Sequence, residues 1–312
     1  MARHLESVWL ALDRPVPFVV REHGAGTGAL AAGILEGLRR SGSELLEAVR
    51  YQAIDASVPR LAALRARLDE LGVVDRLDPP DDRPAVGAIL ANELLDALPV
   101  HRVEGGPDGG LLERFIALEP ADSGSPKPFT TLLGPPSTAA LAARLAGEGI
   151  TLQPGQPAEI CLTVDHWIAD AGAALGRGEL LLIDYGYPAA DLYDPDRGST
   201  LRAYHRHRVH ADPLVGIGRQ DLTAHVDLTA VERAAGAAGL QFIGRTSQAR
   251  FLAALETGEL LVGKQADPST TLESYLGARS ALARMLDPRA TGAFTVLAFG
   301  RQIASDAIRG FG

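Results

Sequence analysis

Phe18-Val19-Val20-Arg21-Glu22-His23-Gly24-Ala25-Gly26-Thr27-Gly28 is the stretch that decides the fold. An apolar run ends in an acid, and glycines then occupy every second position. Ala29-Leu30-Ala31-Ala32-Gly33-Ile34-Leu35 follows with a helix-like pattern. The reading is a buried strand that turns tightly into a helix. Glycine permits positive φ in such a turn and lets a ligand approach the main chain without meeting a Cβ. The ligand this implies is nucleotide-like.

The spacing narrows the choice. A dinucleotide fingerprint reads Gly-x-Gly-x-x-Gly, with pyrophosphate at the helix N-terminus. Here the pattern is Glu-x-Gly-x-Gly-x-Gly, and the carboxylate of Glu22 stands two residues ahead of Gly24. That charge would repel a diphosphate, whereas it suits a cofactor carrying an ammonium and a sulfonium. The motif therefore favours S-adenosyl-L-methionine over a nicotinamide dinucleotide. A glycine-rich turn without a ligand is the bland alternative.

Composition fits an enzyme of this kind. A chain of 312 residues supports a substantial core, as one elaborated domain or two. Its apolar runs are shorter than a membrane span, so no transmembrane helix is expected. The start, Met1-Ala2-Arg3-His4-Leu5-Glu6, lacks the apolar region of a signal peptide. The single cysteine, Cys161, excludes an internal disulfide framework and suits a reducing compartment, so a cytoplasmic location is expected. Cys161 lies in the apolar run Ile160 to Val164 and reads as a small core side chain rather than a nucleophile. The net charge of −9 argues against a general nucleic-acid binder and agrees with a cationic substrate.

Along the chain, strand-like and helix-like segments alternate, the pattern of an α/β sheet. Expected strands are Phe18–Glu22, Val49–Ile54, Val73–Leu77, Ala85–Ala91, Leu180–Ile183, Gln241–Arg245 and Ala293–Phe299. Helices are expected from Ala29 to Arg40 and from Val58 to Leu71. Polar residues collect at the strand C-termini, where open α/β sheets bind ligands. Glu22, Asp55, Asp78, Asn92, Glu93 and Asp184 would then line one crevice. Asp55 stands 27 residues after Gly28 and could accept both ribose hydroxyls of an adenosine. It could also cap the next helix, a role for which Ser57 competes. Asp78 could face an adenine amino group.

Between Val100 and Glu159 the alternation breaks down. Gly105 to Gly110 reads as a hairpin turn between Val100–Val103 and Leu111–Leu118, and Pro120 to Pro128 as a flexible loop. This insert follows Asn92–Pro99 directly and is expected to cover the site. Further on, Gly198 to His210 is rich in histidine and arginine. Alternating arginines would place cations beside a metal, so no metal is assigned and the segment reads as a basic loop.

At this point the residues carry a family resemblance. Glu22 to Gly28, Ala91-Asn92-Glu93-Leu94-Leu95-Asp96-Ala97-Leu98-Pro99-Val100, Leu182-Ile183-Asp184-Tyr185-Gly186-Tyr187, Thr200 to Tyr204 and Asp221-Leu222-Thr223-Ala224-His225-Val226-Asp227 together resemble the MidA family. This is a group of class I S-adenosylmethionine-dependent methyltransferases. The resemblance covers about residues 5 to 303. The glycine motif is shared by many methyltransferases; the Asn-Glu-x-x-Asp-Ala-Leu-Pro and Asp-Leu-Thr-Ala-His-Val-Asp segments are far more specific.

The resemblance implies a Rossmann-like sheet of about seven strands with the last antiparallel. Residues 1–312 would form a single methyltransferase domain with insertions at 100–160 and 186–227. The mitochondrial member of the family dimethylates an arginine on a respiratory complex I subunit. By resemblance Glu22, Gly24, Ala25, Gly26 and Gly28 would hold the methionine end of the cofactor, and Asp55, Ala56 and Asp78 its adenosine. Asn92 would lie beside the sulfonium, with Glu93 and Asp96 facing the acceptor. Asp184, Tyr185 and His225 would touch the substrate. A protein presenting an arginine is the expected partner, and the sequence admits a homodimer.

The chain departs from the family pattern in one region. Members usually carry a longer stretch before the glycine motif, with a Gly-Asp-Phe-x-Thr-Ser-Pro-Glu type segment, whereas about twenty residues precede it here. Ala25 replaces the usual proline and Thr27 the common arginine. Either the start is truncated, or this branch does without one wall of the cofactor pocket.

The expected chemistry is in-line displacement of the sulfonium methyl, which needs alignment rather than a covalent intermediate. A guanidinium stays protonated in water, so paired carboxylates such as Glu93 and Asp96 would orient it. An oxidoreductase, a small-molecule methyltransferase and a non-catalytic assembly factor that keeps the fold remain the alternatives.

Overall fold

The computed structural model describes residues 1–120, 128–205 and 208–311. Most of the expected loop Pro120–Pro128, and Arg206 and His207 of the basic segment, lie outside these residues.

The chain divides into two compact units. The first comprises Met1–Leu94, Ala169–Tyr185 and Ala235–Gly312. Its sheet has seven strands: β1 (Phe18–His23), β2 (Val49–Ile54), β3 (Leu77–Asp78), β4 (Ala85–Asn92), β5 (Leu175–Asp184), β6 (Gln241–Ser247) and β7 (Thr295–Arg301). Their spatial order is β6-β7-β5-β4-β1-β2-β3. β1 pairs in parallel with β2 on one side and β4 on the other, and β7 runs antiparallel between β5 and β6. The connection order thus reverses beside β1, which is where an open sheet leaves a crevice for a ligand.

Helical periodicity explains how this sheet is covered. The helix Ala29–Ser41 buries Ala31, Ile34, Leu35 and Leu38, an i, i+3, i+4, i+7 stripe. That stripe joins Leu5 and Val8 of the helix Ala2–Ala11, Leu12 just after it, and Phe18 and Val20 of β1 in one core. Gly42 ends the helix in the left-handed conformation (φ +65°).

The expected strand Val73–Leu77 needs correction. A turn of 3₁₀ helix occupies Val74–Arg76, and only Leu77 and Asp78 pair with β2. Arg76 reaches both Glu47 and Asp75, which holds the segment as a turn at the sheet edge.

The second unit comprises Leu95–Ile168 and Gly186–Ala234. The expected hairpin is present: His101–Gly105 and Leu111–Leu118 pair antiparallel, closed by Gly106 N–H donating to Gly110 O at 2.8 Å. Phe129–Gly134 and Pro157–Ile160 extend it to four strands. Val103, Leu141, Leu145, Ala158 and Ile160 form a core of its own. Arg202–His205 is the central strand of a separate three-stranded sheet. No helix among the described residues is long and apolar enough to cross a membrane.

Candidate functional site

The C-terminal edge of β1 carries the first half of the site. Glu22 is buried, and Tyr51 of β2 donates its hydroxyl to Glu22 Oε2 at 2.6 Å. Burial pushes the Glu22 carboxyl up to about 7, against the opposing pull of the Tyr51 hydrogen bond, and the Asp55 charge adds to the rise. The carboxylate therefore sits near half-ionisation at neutral pH, short of a positive partner. Next to it His23 is pushed down to about 4 by burial and by Arg21, so its ring is neutral.

The glycine loop follows, with Gly24, Gly26 and Gly28 all at positive φ. Gly24 and Ala25 N–H both donate to Ile54 O, at 2.8 and 3.1 Å, which ties the loop to the end of β2. The glycines have separate reasons to be glycine. A Cβ on Gly28 would stand 2.6 Å from Leu64 Cγ, so that position is fixed by helix packing. A Cβ on Gly26 would meet only Gly24 O at 4.0 Å, so the space over Gly26 is open.

Asp55 locks this loop from β2. Its Oδ2 accepts from Gly26 N–H at 2.9 Å and its Oδ1 from Ser57 N–H at 2.8 Å. Ser57, not Asp55, caps the helix Val58–Glu70. Each Asp55 oxygen retains a lone pair, so a ribose hydroxyl remains within its capacity. Ala56 beside it is exposed. Asp78 ends the edge strand β3: its register partner is Gln52, and its carboxylate lies 4.0 Å from Arg50 Nε.

β4 and β5 supply the other wall. Asn92 ends β4, and its amide reaches the Glu93 carboxylate at 3.5 Å. Glu93 adopts φ +50°, a left-handed conformation rare outside glycine. Its N–H donates to Ile183 O at 2.8 Å, so the sheet itself pins this backbone and leaves the side chain exposed. Leu94 then turns its Cδ1 toward Gly24, where a Cβ would stand 3.1 Å away. Asp184 is buried at the end of β5, and its two oxygens accept from Leu94 and Tyr185 N–H. Asp184 thus fastens the β4 and β5 loops, and Tyr185 packs on Phe294 at 5.2 Å.

The first unit therefore gathers Glu22, Gly24, Ala25, Gly26, Gly28, Asp55, Asn92, Glu93 and Asp184 at one sheet edge. Asp96 and His225 belong to the second unit. Asp96 is buried in a 3₁₀ turn, and its carbonyl accepts from Ala224 N–H at 2.9 Å. His225 packs on Tyr187 at 5.4 Å, and Arg197 covers the Tyr187 ring. Burial lowers the His225 pKa, helped by Arg197 and Arg202, so this ring is neutral as well. Burial raises the Cys161 thiol, which is no thiolate at neutral pH.

Two groups of importance escaped the sequence. Tyr51, the partner of Glu22, looked like an ordinary strand residue; its place three residues before the expected strand end was the only signal. The strained backbone of Glu93 had no sequence signal, because it depends on Ile183, which lies 90 residues further along.

A seven-stranded sheet of this order, with a glycine loop and acids at the switch point, is a Rossmann-like class I methyltransferase fold. Residues 1–246 match the family described as "Putative S-adenosyl-L-methionine-dependent methyltransferase". The chain belongs to this MidA-like family.

Two solved structures from Burkholderia thailandensis are similar along nearly the whole chain. One, an uncharacterised protein, is 36% identical, covers 98% of this chain and 81% of its own, and has a TM-score of 0.84. The other, of the same superfamily and solved bound to S-adenosyl-homocysteine, is 35% identical over 97% of this chain and 76% of its own, with a TM-score of 0.83. The curated relatives include the mitochondrial protein arginine methyltransferase NDUFAF7 of Rattus norvegicus, 26% identical over 84% of this chain and 63% of its own length. Its Drosophila melanogaster homologue is 26% identical over 80% and 60% respectively. The chain thus spans about three fifths of the length of these curated relatives.

Proposed function

We propose that the protein transfers a methyl group from S-adenosyl-L-methionine to the guanidinium of a protein arginine. The observation that carries this reading is Glu22: a buried, charge-starved carboxylate at the switch point, directly before an open glycine turn. Such a group fits a cationic cofactor end and does not fit a diphosphate. The bound cofactor supplies an electrophilic methyl on its sulfonium. Glu22 balances its ammonium, the open backbone at Gly26 admits its methionine end, and Asp55 accepts from its ribose. Asn92 stands beside the reacting centre. Asp184 positions Leu94 and Tyr185 rather than touching the acceptor.

Glu93 is the residue we assign to the acceptor. Its exposed carboxylate, fixed by the backbone bond to Ile183, can take a guanidinium N–H and hold the attacking nitrogen in line. The relatives named as protein arginine methyltransferases support the arginine assignment. A cytoplasmic location and a homodimer complete the proposal.

Methyl transfer from labelled cofactor into cell lysate, followed by acid hydrolysis, tests it. Label in methylarginine is the expected result, with Glu93→Gln lowering incorporation about 10²-fold while cofactor binding stays unchanged. Cofactor binding without any incorporation would point to an assembly role instead. Label recovered only in small molecules would move the acceptor out of the protein class.

A further inference from the structure

Within the second unit lies a cavity of about 550 Å³, every lining residue of which belongs to that unit. Its walls are apolar, with Leu98, Ile116, Phe129, Leu214 and Leu222 among them. Its polar side chains are Asp96, Arg102 and Thr223. A concave, mostly apolar space of this size with a few fixed polar groups is the ordinary form of a small-molecule site.

Arg102 decides the chemistry. It is half-buried on the strand His101–Gly105, and its Nε is buried with no hydrogen-bond partner. Glu159, its partner in the strand register, is engaged by neutral donors: Ser199 Oγ at 2.6 Å, Thr200 N at 2.7 Å and Thr200 Oγ1 at 3.0 Å. Among the described residues no carboxylate forms an ion pair with Arg102. Burial lowers the Arg102 pKa, the Glu159 charge opposes it, the Arg114 charge adds to the fall, and Asp212 opposes it in turn. Asp96, the acid of the cavity itself, is not among the charges that act on Arg102. Thr223 Oγ1 is also buried without a partner. A buried Nε–H and a buried hydroxyl each cost free energy unless something accepts from them.

We propose that this cavity binds a free organic acid, with its apolar body against Leu98, Phe129, Leu214 and Leu222 and its carboxylate on Arg102 and Thr223. A carboxylate has acceptor capacity for both donors, and its negative charge complements the half-buried guanidinium. The inference goes beyond methyl transfer and stands apart from it, because its probes are measured without cofactor.

Calorimetry on the full chain with decanoate, decan-1-ol and decylammonium, one tail with three head groups, provides the test. Decanoate should bind roughly tenfold to hundredfold more tightly than the alcohol, with the ammonium weakest. Arg102→Met should bring decanoate down to the level of the alcohol and leave the alcohol unchanged. Thr223→Val, which keeps the charge, should weaken decanoate alone and supplies the test if Arg102→Met unfolds on a thermal scan. Equal binding of the three probes, or decanoate binding unchanged in both variants, would overturn the proposal. So would binding of the capped peptide acetyl-Leu-Glu-Leu-amide with none of decanoate, which would assign the cavity to a peptide.

Discussion

Glu22 at the strand ends of the first unit and Arg102 in the cavity of the second are groups of opposite charge whose titration is shifted by burial. Glu22 is pushed up to about 7 by burial, whereas Arg102 is pulled down by burial. Both are displaced toward neutrality chiefly by burial. Their surroundings also differ. Around Glu22 the glycine loop, Asp55 and Asp184 are tied to backbone N–H groups, so the frame is preset. Around Arg102 the cavity walls are mostly apolar, and the Thr223 hydroxyl among them has no partner. The lesson is that the sign of a shifted, buried charge names the sign of the ligand, and its surroundings name the rest.

The largest effect that could break this comparison is expected from Glu22→Gln. The substitution keeps the shape and removes the charge, so affinity for S-adenosyl-L-methionine should fall about 10²-fold by calorimetry. Stability should hold or rise, since a buried charge is replaced by a neutral amide. An unchanged affinity would remove the electrostatic half of the comparison.

The glycine loop gives the next effect, in stability. Gly28→Ala combines a left-handed backbone with a Cβ 2.6 Å from Leu64 Cγ. It should cost about 2–4 kcal/mol in urea unfolding. Gly26→Ala carries only the backbone strain, about 1–2 kcal/mol, but should weaken cofactor binding by filling the open space. Equal stability losses for the two would show that their roles are not separate.

A smaller effect sharpens the second unit. Glu148 there is raised to about 8, first by burial and then by the Asp227 charge, with Arg144 and Arg233 opposing. Its folded value lies above the ordinary 4.5, so folding favours the protonated form. The stability it adds is complete below pH 4.5 and is lost as the pH rises through 8. Glu148→Gln should therefore flatten the decline in unfolding free energy between pH 5 and 8. An undiminished slope would place the titration elsewhere.

The alternation of apolar runs with strand-end acids made the sheet legible from sequence. Val49–Ile54 matches its expected bounds, and Glu22, Asp55 and Glu93 fall at the strand ends. β5 was harder: it starts at Leu175 rather than Leu180, because Gly176, Arg177, Gly178 and Glu179 break the apolar run. Gly178 is there for close strand contact, as a Cβ would stand 1.9 Å from Gly87 O. Glu179 is fully buried against His4 at 2.7 Å, a pairing across 175 residues that no local pattern carries. The 4.0 Å approach of Asp78 to Arg50 is likewise invisible locally, because it exists only once β2 and β3 are side by side.

The central claim is that Glu22 accepts the cationic end of a methyl donor. Calorimetry of S-adenosyl-L-methionine binding at pH 6 and pH 7.5, in buffers of different ionisation enthalpy, tests it most directly. Glu22 is largely protonated at the lower pH and must lose that proton to meet a cation. Affinity should therefore rise roughly tenfold between the two pH values, with proton release at pH 6, and Glu22→Gln should abolish both effects. Binding of equal strength at both pH values, with no proton released, would contradict the account.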